Sequence, residues 1–276
     1  MRNIAIIAGR ELAIARRNRW VLAATTVMAV LALSLAFLGS APTGRVGVGA
    51  LDVVIVSLSS LTIFLIPLIA LLIAHDAVVG EAERGTLALL LSYPIGRWQV
   101  LLGKFLGHVL ILTIATGLGY GAAAVALAIT GIEILQQSVA AFLVMIASSI
   151  LLGAVFVAIG YLISALVHER ATAAGVALGI WLVMVLIYDM ALLGLLVLDQ
   201  GRIVTAGMLD ALLLLNPTDV YRLFNLTGSV NVSRFAGMSG LAQAATLRPP
   251  VLLAAMLLWI IVPLAAATAA FARREV

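Results

Sequence analysis

The sequence predicts an all-α polytopic membrane protein with six transmembrane helices. Three observations lead to this fold class: 64% of the 276 residues are hydrophobic, only 10% are charged, and the apolar residues gather in long runs. A soluble domain carries about a quarter charged residues, and about twenty consecutive apolar residues are enough for a helix to cross a bilayer. The mean hydropathy of +1.23 therefore indicates a chain whose main solvent is lipid.

The first element is a short N-terminal segment, residues 1–19, that precedes the first apolar run. Plotted as a helix, it separates apolar from basic side chains, and only Ile6 and Glu11 break the separation. The apolar side holds Ile4, Ile7, Ala8, Leu12, Ile14 and Ala15, and the basic side holds Arg2, Arg10, Arg16 and Arg17. This pattern is typical of a helix that lies in the membrane interface with its arginines toward anionic headgroups. A merely basic tail beside the membrane is the alternative.

Six apolar runs follow, at residues 20–38, 53–74, 105–130, 139–166, 173–198 and 251–271. Each is long enough for a hydrocarbon core about 30 Å thick. The first run is followed by Gly39-Ser40-Ala41, which resembles a signal-peptide cleavage site. Because the run is longer than the apolar part of a typical signal peptide, we interpret it as an uncleaved first helix. The chain is predicted to form a single transmembrane domain over residues 1–276.

Basic residues predict the orientation, because Lys and Arg collect in cytoplasmic loops. With the N-terminus inside, eleven of the 16 basic residues fall on the cytoplasmic side and five on the outside, four of them in one long loop. The inside set is Arg2, Arg10, Arg16, Arg17, Arg19, Arg84, Arg97, Lys104, Arg170, Arg273 and Arg274, and the outside set is Arg45, Arg202, Arg222, Arg234 and Arg248. Both termini are therefore predicted to be cytoplasmic, in a bacterial inner membrane. The net charge of +4 has the same explanation, so we expect a lipid bilayer and no nucleic acid as partner.

Two segments outside the membrane stand out: an inner one at 75–103 and an outer one at 199–248. The inner segment contains a polar stretch followed by the apolar run 87–91, and Pro94 and Gly96 then break the chain. This predicts a short amphipathic helix held against the inner membrane surface. A docking surface for a cytoplasmic motor and an ordinary interfacial helix both fit that description.

The inner segment carries a family resemblance. Its pattern is Asp76, Glu81, Gly85-Thr86-Leu87, Leu90-Leu91-Ser92, Pro94 and Gly103-Lys104. This pattern resembles that of the ABC-2 type permeases, and the similarity extends over nearly the whole chain. The resemblance implies that the inner segment is a coupling helix on an ATPase, and that residues 1–19 are an elbow helix. The coupling residues it implies are Glu81, Glu83, Arg84, Gly85 and Thr86.

Within that family the similarity is to permeases of transporters that mature nitrous oxide reductase. The stretches 57–76, 89–108 and 212–225 carry it. The cargo this implies is copper, with a sulfur species as the alternative. Another ABC-2 exporter, with a different substrate, stays open.

The absence of an ATP-binding motif indicates which partners to expect. A phosphate-binding loop of the form G-x-x-x-x-G-K-[ST] is absent, since Gly103-Lys104 has Trp98 where the first glycine is required. We therefore expect no cofactor on this chain and ATP on a separate cytoplasmic ATPase. Six spans are half of the twelve that the resemblance implies, which predicts a homodimer with two ATPase subunits.

The alternative is an intramembrane hydrolase. Residues 237–240 read G-x-S-G, but Ser239 lies in the outer segment while all three histidines lie near the cytoplasmic side. A serine nucleophile needs a base within hydrogen-bond reach, so we predict that the chain is not an enzyme. His168-Glu169 begins like H-E-x-x-H, but Thr172 replaces the second histidine, and the absence of cysteine excludes thiol chemistry.

A few polar residues in the spans are candidates for a transport pathway: Ser57, Ser60, Thr62, Asp189 and Met190. Carboxylates inside a membrane usually face a partner or a water path. For Asp189 a satisfied outer-leaflet carboxylate is the alternative, and for the hydroxyls it is helix packing. The eight methionines form no copper-binding pattern, so any metal site is unknown.

Glycine pairs at four-residue spacing, Gly103/Gly107, Gly117/Gly121 and Gly175/Gly179, predict close helix packing.

The outer segment is too long for a simple connector and needs its own order or a partner. Pro217 favours an extended Asn216, and we expect Thr218 to cap a helix through Tyr221 and Phe224. The resemblance implies contact with a periplasmic subunit through Asn216, Pro217, Thr218, Asp219, Tyr221 and Arg222. A lid packed only on its own permease is the alternative.

Overall fold

The computed structural model describes residues 2–17, 19–39, 50–129, 136–199, 204–227 and 247–274. Over these ranges the regular structure is helical, with no strand, which confirms the predicted fold class. The helices are α1 (Arg2–Arg17), α2 (Arg19–Gly39), α3 (Ala50–Ala74), α4 (Val79–Glu83), α5 (Thr86–Leu91), α6 (Arg97–Ile129), α7 (Gln136–Leu166), α8 (Arg170–Leu182), α9 (Tyr188–Asp199), α10 (Ala206–Leu214), α11 (Pro217–Thr227) and α12 (Pro249–Arg273).

Five stretches of the described chain are long and apolar enough to span a membrane. They are Val54–Glu83, Arg97–Ala126, Ser138–Leu166, Arg170–Asp199 and Pro249–Arg273. The first predicted run corresponds to α2, in which a shorter apolar stretch, Thr25–Leu35, is found. The described chain thus contains five to six candidate spans, which agrees with a multi-pass membrane protein.

Helix α7 lies at the centre of the bundle and packs against α3, α6 and α12. The most apolar part of this span is 67% buried inside the chain, whereas that of the fifth span, Arg170–Asp199, is only 6% buried. Contact between α3 and α7 is close, because a Cβ on Gly160 would lie 2.6 Å from the Cβ of Ala74. The fifth span is therefore peripheral, and most of its apolar surface is not covered by the described residues.

Two boundaries differ from the prediction. The helical stretch expected to begin at Arg97 and the apolar third span expected near residue 105 form one continuous helix, α6, which starts just after the break at Pro94 and Gly96. The inner segment contains two short helices, α4 and α5, where one was expected. Gly85 separates them with φ at +70°, a left-handed conformation that glycine adopts without steric cost.

We call the end of the bundle with α1, α4, α5 and the last turn of α12 the terminal end. There Arg97 donates to the carbonyls of Phe271, Ala272 and Arg274, at 2.9, 2.9 and 2.8 Å. A cation is favourable at a helix C-terminus, where the last carbonyls lack partners. The start of the third span is thereby attached to the end of the sixth.

Candidate functional site

Residues 79–91, comprising α4, α5 and the Arg84–Gly85 link, form what we call the coupling turn. Its start is held by Ser164 of α7, whose Oγ accepts from the backbone N–H groups of Val78 and Val79 at 2.9 and 3.1 Å. The first N–H groups of a helix have no partner within the helix, so this hydroxyl satisfies donors that would otherwise be buried without an acceptor. The turn is thus fixed to the most buried span.

Three buried charges meet behind the coupling turn, and we call Glu11, Glu81 and Lys104 the Lys104 cluster. The Nζ of Lys104 lies 3.1 Å from Oε1 of Glu11 and 3.0 Å from Oε1 of Glu81. All three residues are at most 7% exposed. Each comes from a different helix, α1, α4 and α6. Buried charges are tolerated when they are paired, so this cluster joins the N-terminal helix, the coupling turn and the third span.

Two further side chains extend the Lys104 cluster toward α7. The Nε2 of His108 lies 3.7 Å from Oε2 of Glu11, and its Nδ1 lies 3.0 Å from the hydroxyl of Tyr161. On the other side, the hydroxyl of Thr86 donates to the carboxylate of Glu81. Glu81 therefore stabilises the turn from inside and is not available on its surface.

The exposed part of the coupling turn is Glu83, Arg84 and Gly85. Oε1 of Glu83 accepts from the backbone N–H of Arg170 at 2.6 Å, at the start of the fifth span. The guanidinium of Arg170 in turn lies 2.9 Å from Oδ2 of Asp76. Of the five residues predicted to couple, three point outward, Glu81 points inward and Thr86 is half-buried.

Next to these charges lies exposed apolar surface. Leu89 of α5 is 68% exposed and Tyr93, just after it, is 62% exposed. A shallow groove of about 520 Å³ lies between the coupling turn and α8. It is lined by His75, Glu83, Glu169, Arg170, Ala171 and Ala174. The terminal end thus offers a turn of mixed charge, an apolar patch and a groove side by side.

Within the outer segment, α10 and α11 form a helical hairpin that packs against α3, α7 and α12. Oδ1 of Asn216 accepts from the backbone N–H of Thr218 at 3.2 Å, so Asn216 is the N-cap of α11 and Pro217 its first residue. The prediction that Thr218 caps this helix was wrong by two positions. Proline suits the first helical position because its missing N–H would have no partner there.

A π-helical turn, Val183–Ile187, interrupts the fifth span between α8 and α9. The carbonyl of Met184 in this turn accepts from Nδ2 of Asn216 at 2.9 Å and from Oγ1 of Thr218 at 3.3 Å. Such turns are rare and occur frequently at functional sites. Nothing in the sequence indicates it, because Val183–Ile187 are all apolar and no breaker marks the turn.

Arg222 binds two carboxylates and ties the hairpin to the fifth span. Its guanidinium lies 2.7 Å from Oδ1 of Asp219 and pairs with Asp189 through both nitrogens. Tyr188, the residue before Asp189, adds a second connection: its hydroxyl donates to the carbonyl of Leu212 at 2.7 Å. Burial raises the pKa of Asp219 to about 7, although Arg222 opposes this shift. Asp189 therefore has a partner, as expected for a satisfied carboxylate.

The residues predicted for partner contact on this hairpin are mostly inside the chain. Asn216, Thr218, Asp219 and Tyr221 are at most 1% exposed, and Arg222 is half-buried. The exposed residues of α10 are Ala206, Gly207, Met208 and Ala211, and the exposed Leu215 follows the helix.

The predicted pathway residues do not meet at one place. Thr62 is fully buried and bonds the hydroxyl of Tyr120 at 2.6 Å, whereas Ser60 is exposed and bonds its own helix. Ser57 is half-buried, and Met190 is 72% exposed. Of the methionines, Met28, Met145 and Met256 are fully buried core residues. Among the described residues, no three His, Asp or Glu side chains gather into a metal-binding group.

The three predicted glycine pairs differ in how closely a neighbouring helix approaches them. A Cβ on Gly103 would lie 2.8 Å from the Cβ of Ile7, and a Cβ on Gly107 would lie 2.7 Å from the Cβ of Glu11. The absence of side chains at this pair therefore lets α1 pack closely on α6. At Gly117/Gly121 and Gly175/Gly179, no atom of another described element lies within 4 Å of such a Cβ. The G-x-S-G stretch at 237–240 and the Gly39-Ser40-Ala41 region beyond residue 39 lie outside the described residues.

Comparison with known proteins identifies the relatives of this chain. Residues 5–276 match the sequence model of a family described as "ABC-2 family transporter protein". A curated protein of Stutzerimonas stutzeri, described as "Probable ABC transporter permease protein NosY", is 48% identical over 270 residues, which is 97% of each chain. A protein of Pseudomonas aeruginosa with the same description is 47% identical over 275 residues, or 98% of each chain.

Proposed function

Because this chain belongs to the ABC-2 family of transporter proteins and is the permease subunit of an ABC transporter, we propose that it serves the maturation of nitrous oxide reductase. In this proposal two copies join two separate NosF-like ATPase subunits and a NosD-like periplasmic subunit. The assembly moves copper, or a sulfur species, across the bacterial inner membrane. The similarity to NosY proteins over nearly the whole length supports this choice among ABC-2 permeases.

We propose that the terminal end faces the cytoplasm and that the coupling turn docks on the ATPase. The observation that carries this proposal is the contrast within the turn: its tip, Glu83–Gly85, is exposed, while Ser164 and the Lys104 cluster hold its base inside the bundle. A surface that receives force must be fixed to what it moves. The exposed apolar residues Leu89 and Tyr93 suit the centre of such an interface, where aromatic side chains are enriched.

The second copy is proposed to meet this chain along the fifth span. That span is the least buried of the five candidate spans in the described chain. On it Gly175 and Gly179 face outward, and small residues let two membrane helices approach closely. A second copy would cover apolar surface that the described part of the chain leaves open.

For the periplasmic subunit we propose a contact surface that differs from the residues expected from the sequence. Because Asn216, Thr218 and Asp219 are buried by their own chain, a partner would bind the exposed side of α10 around Met208 and Leu215. The buried residues would then support the shape of that surface.

The docking proposal is tested by retention of the ATPase. A tagged chain is co-expressed with its ATPase, and the retained ATPase is measured for the parent, for Glu83→Ala with Arg84→Ala, and for Leu89→Ala. We expect retention to weaken about tenfold, which corresponds to about 1.4 kcal/mol of binding free energy. Arg273→Ala is the matched control, since Arg273 is exposed at the same end but lies outside the coupling turn. Unchanged retention in both turn variants would contradict docking at this surface.

Glu81 is unsuitable for this test, because a change there removes a buried partner of Lys104 and alters folding along with docking.

The cargo proposal is tested on the reductase. Copper and acid-labile sulfide are measured in nitrous oxide reductase purified from cells without this permease. Loss of copper alone indicates copper as the cargo, and loss of sulfide with copper still bound indicates sulfur. A reductase with full copper and sulfide would refute the maturation role and leave an ABC-2 permease for another substrate.

A further inference from the structure

Lys104 is the only lysine in the chain, and the other 15 basic residues are arginines. It is 5% exposed and lies between two carboxylates that are each 7% exposed. A lysine ammonium is a compact point charge, whereas the planar arginine guanidinium favours paired hydrogen bonds in one plane. Its ammonium pairs with both carboxylates at once, through a hydrogen bond to Glu81 and an ion pair with Glu11.

The two carboxylates belong to elements that are far apart in the chain. Glu11 lies on α1, which packs on α6 through the close approach at Gly103 and Gly107. Glu81 lies in α4, at the base of the coupling turn, and also accepts from Thr86 at the start of α5. A displacement of the turn therefore acts on Glu81, then on Lys104, and through Lys104 on both α1 and α6.

The strength of this connection comes from burial. In low dielectric an ammonium that loses one carboxylate, or a carboxylate that loses its ammonium, cannot be compensated by water. The three groups therefore move together, since separation of any one leaves a buried charge without a partner. Asn3 offers a contrast: its side chain donates to Gln99 of α6 at 3.4 Å and binds α1 to α6 without involving the coupling turn.

We propose that Lys104 is a positioning residue of the coupling machinery, which makes α1 part of the path by which ATP binding reaches the membrane spans. The inference rests on the proposed docking of the coupling turn on the ATPase. It assigns to the N-terminal helix a role beyond lying in the interface: α1, the coupling turn and the start of α6 respond to the ATPase as one unit. Glu11, which breaks the amphipathic pattern of α1, is the residue through which α1 takes part.

The experiment uses the full chain assembled with its ATPase in lipid nanodiscs. A spin label is attached to Ala13→Cys on the exposed side of α1, before the ATPase is added. Because the natural chain has no cysteine, this thiol is unique in it. Label mobility is recorded with and without ATP, and ATPase retention and ATP hydrolysis are measured on the same samples.

We expect ATP to change the mobility of the label in the parent. Lys104→Met should lose that change while ATPase retention and hydrolysis continue, and Asn3→Ala should keep it. Should Lys104→Met fail to assemble, Glu11→Leu carries the test, because it leaves Lys104 paired with Glu81 at the base of the coupling turn and removes the connection of α1 to the cluster.

A full ATP response in Lys104→Met or Glu11→Leu would overturn the inference, and so would its loss in Asn3→Ala, since a general loosening of α1 would then explain the result. A parent that retains the ATPase but shows no response overturns it as well. A parent that retains no ATPase refutes the proposed function itself, and the inference with it. The two failures are therefore distinguishable.

Discussion

Replacing Arg222 by methionine should destabilise the hairpin strongly, because one guanidinium serves two carboxylates. The side chain of Asp219 is 1% exposed, whereas those of Asp189 and Arg222 are 22% and 28% exposed. Breaking a buried ion pair costs about 3–5 kcal/mol, and breaking an exposed one costs about 0–1 kcal/mol. The Arg222–Asp219 ion pair is closer to the buried case, and the Arg222–Asp189 ion pair is closer to the exposed case. We therefore expect a loss of about 3 kcal/mol from Arg222→Met.

For a chain of this size such a loss corresponds to a decrease in melting temperature of roughly 6–12 °C. Thermal unfolding of the detergent-solubilised protein can be followed by tryptophan fluorescence. Trp259 is a direct reporter, because its indole N–H donates to the carbonyl of Leu214 in the hairpin at 3.1 Å.

A second substitution separates the contributions of the two ion pairs to stability. Adding Asp219→Asn to Arg222→Met removes the buried carboxylate that has lost its cation, so it should restore about half of the lost stability. Adding Asp189→Asn instead should restore less, since Asp189 is more exposed and loses less. The reasoning is refuted if Asp189→Asn restores more stability than Asp219→Asn. It is also refuted if Arg222→Met leaves the melting temperature unchanged.

Three further predictions concern packing and assembly. Gly107→Leu should separate α1 from α6 and lower the melting temperature, while Gly117→Leu, with open space at its Cβ position, should not; equal effects would contradict the close packing of α1. Ser164→Ala removes the acceptor for two N–H groups at the start of α4 and should cost about 1–2 kcal/mol, seen as faster amide exchange there; Ser60→Ala, whose hydroxyl bonds only its own helix, is the control. Gly175→Cys should form a disulfide between two copies in membranes, whereas Gly117→Cys should not, and the opposite result would place the proposed dimer contact on the third span instead.

Local features of the sequence were enough to predict the membrane fold. The long apolar runs predicted the spans, the breakers around Pro94 and Gly96 preceded the start of α6, and the polar stretch at 81–86 marked the coupling turn. Residues of this segment also carried the resemblance that the comparisons confirm at the level of the ABC-2 family. These features depend on how many neighbouring residues prefer lipid to water, and a sequence displays that preference directly.

The two exceptions in the N-terminal helix show where such reasoning ends. Ile6 and Glu11 broke the amphipathic pattern because the pattern assumes one apolar and one aqueous side. In the structure Ile6 is 63% exposed, and Glu11 is buried against Lys104, 93 positions later in the chain. The charge of Glu11 on the apolar side was a signal of a buried partner, but it did not say which partner.

The sequence by itself thus determined the spans, the two segments outside them and the family, since these follow from composition and local pattern. Only the tertiary structure decided which polar groups meet: Glu81 turned inward to Lys104, Asn216 bound to the carbonyl of Met184, and Arg222 placed between Asp189 and Asp219. In a chain with so few charges, each buried charge must find a partner or neutralise. Where that partner lies depends on the packing of helices distant in sequence, so a linear pattern does not contain it.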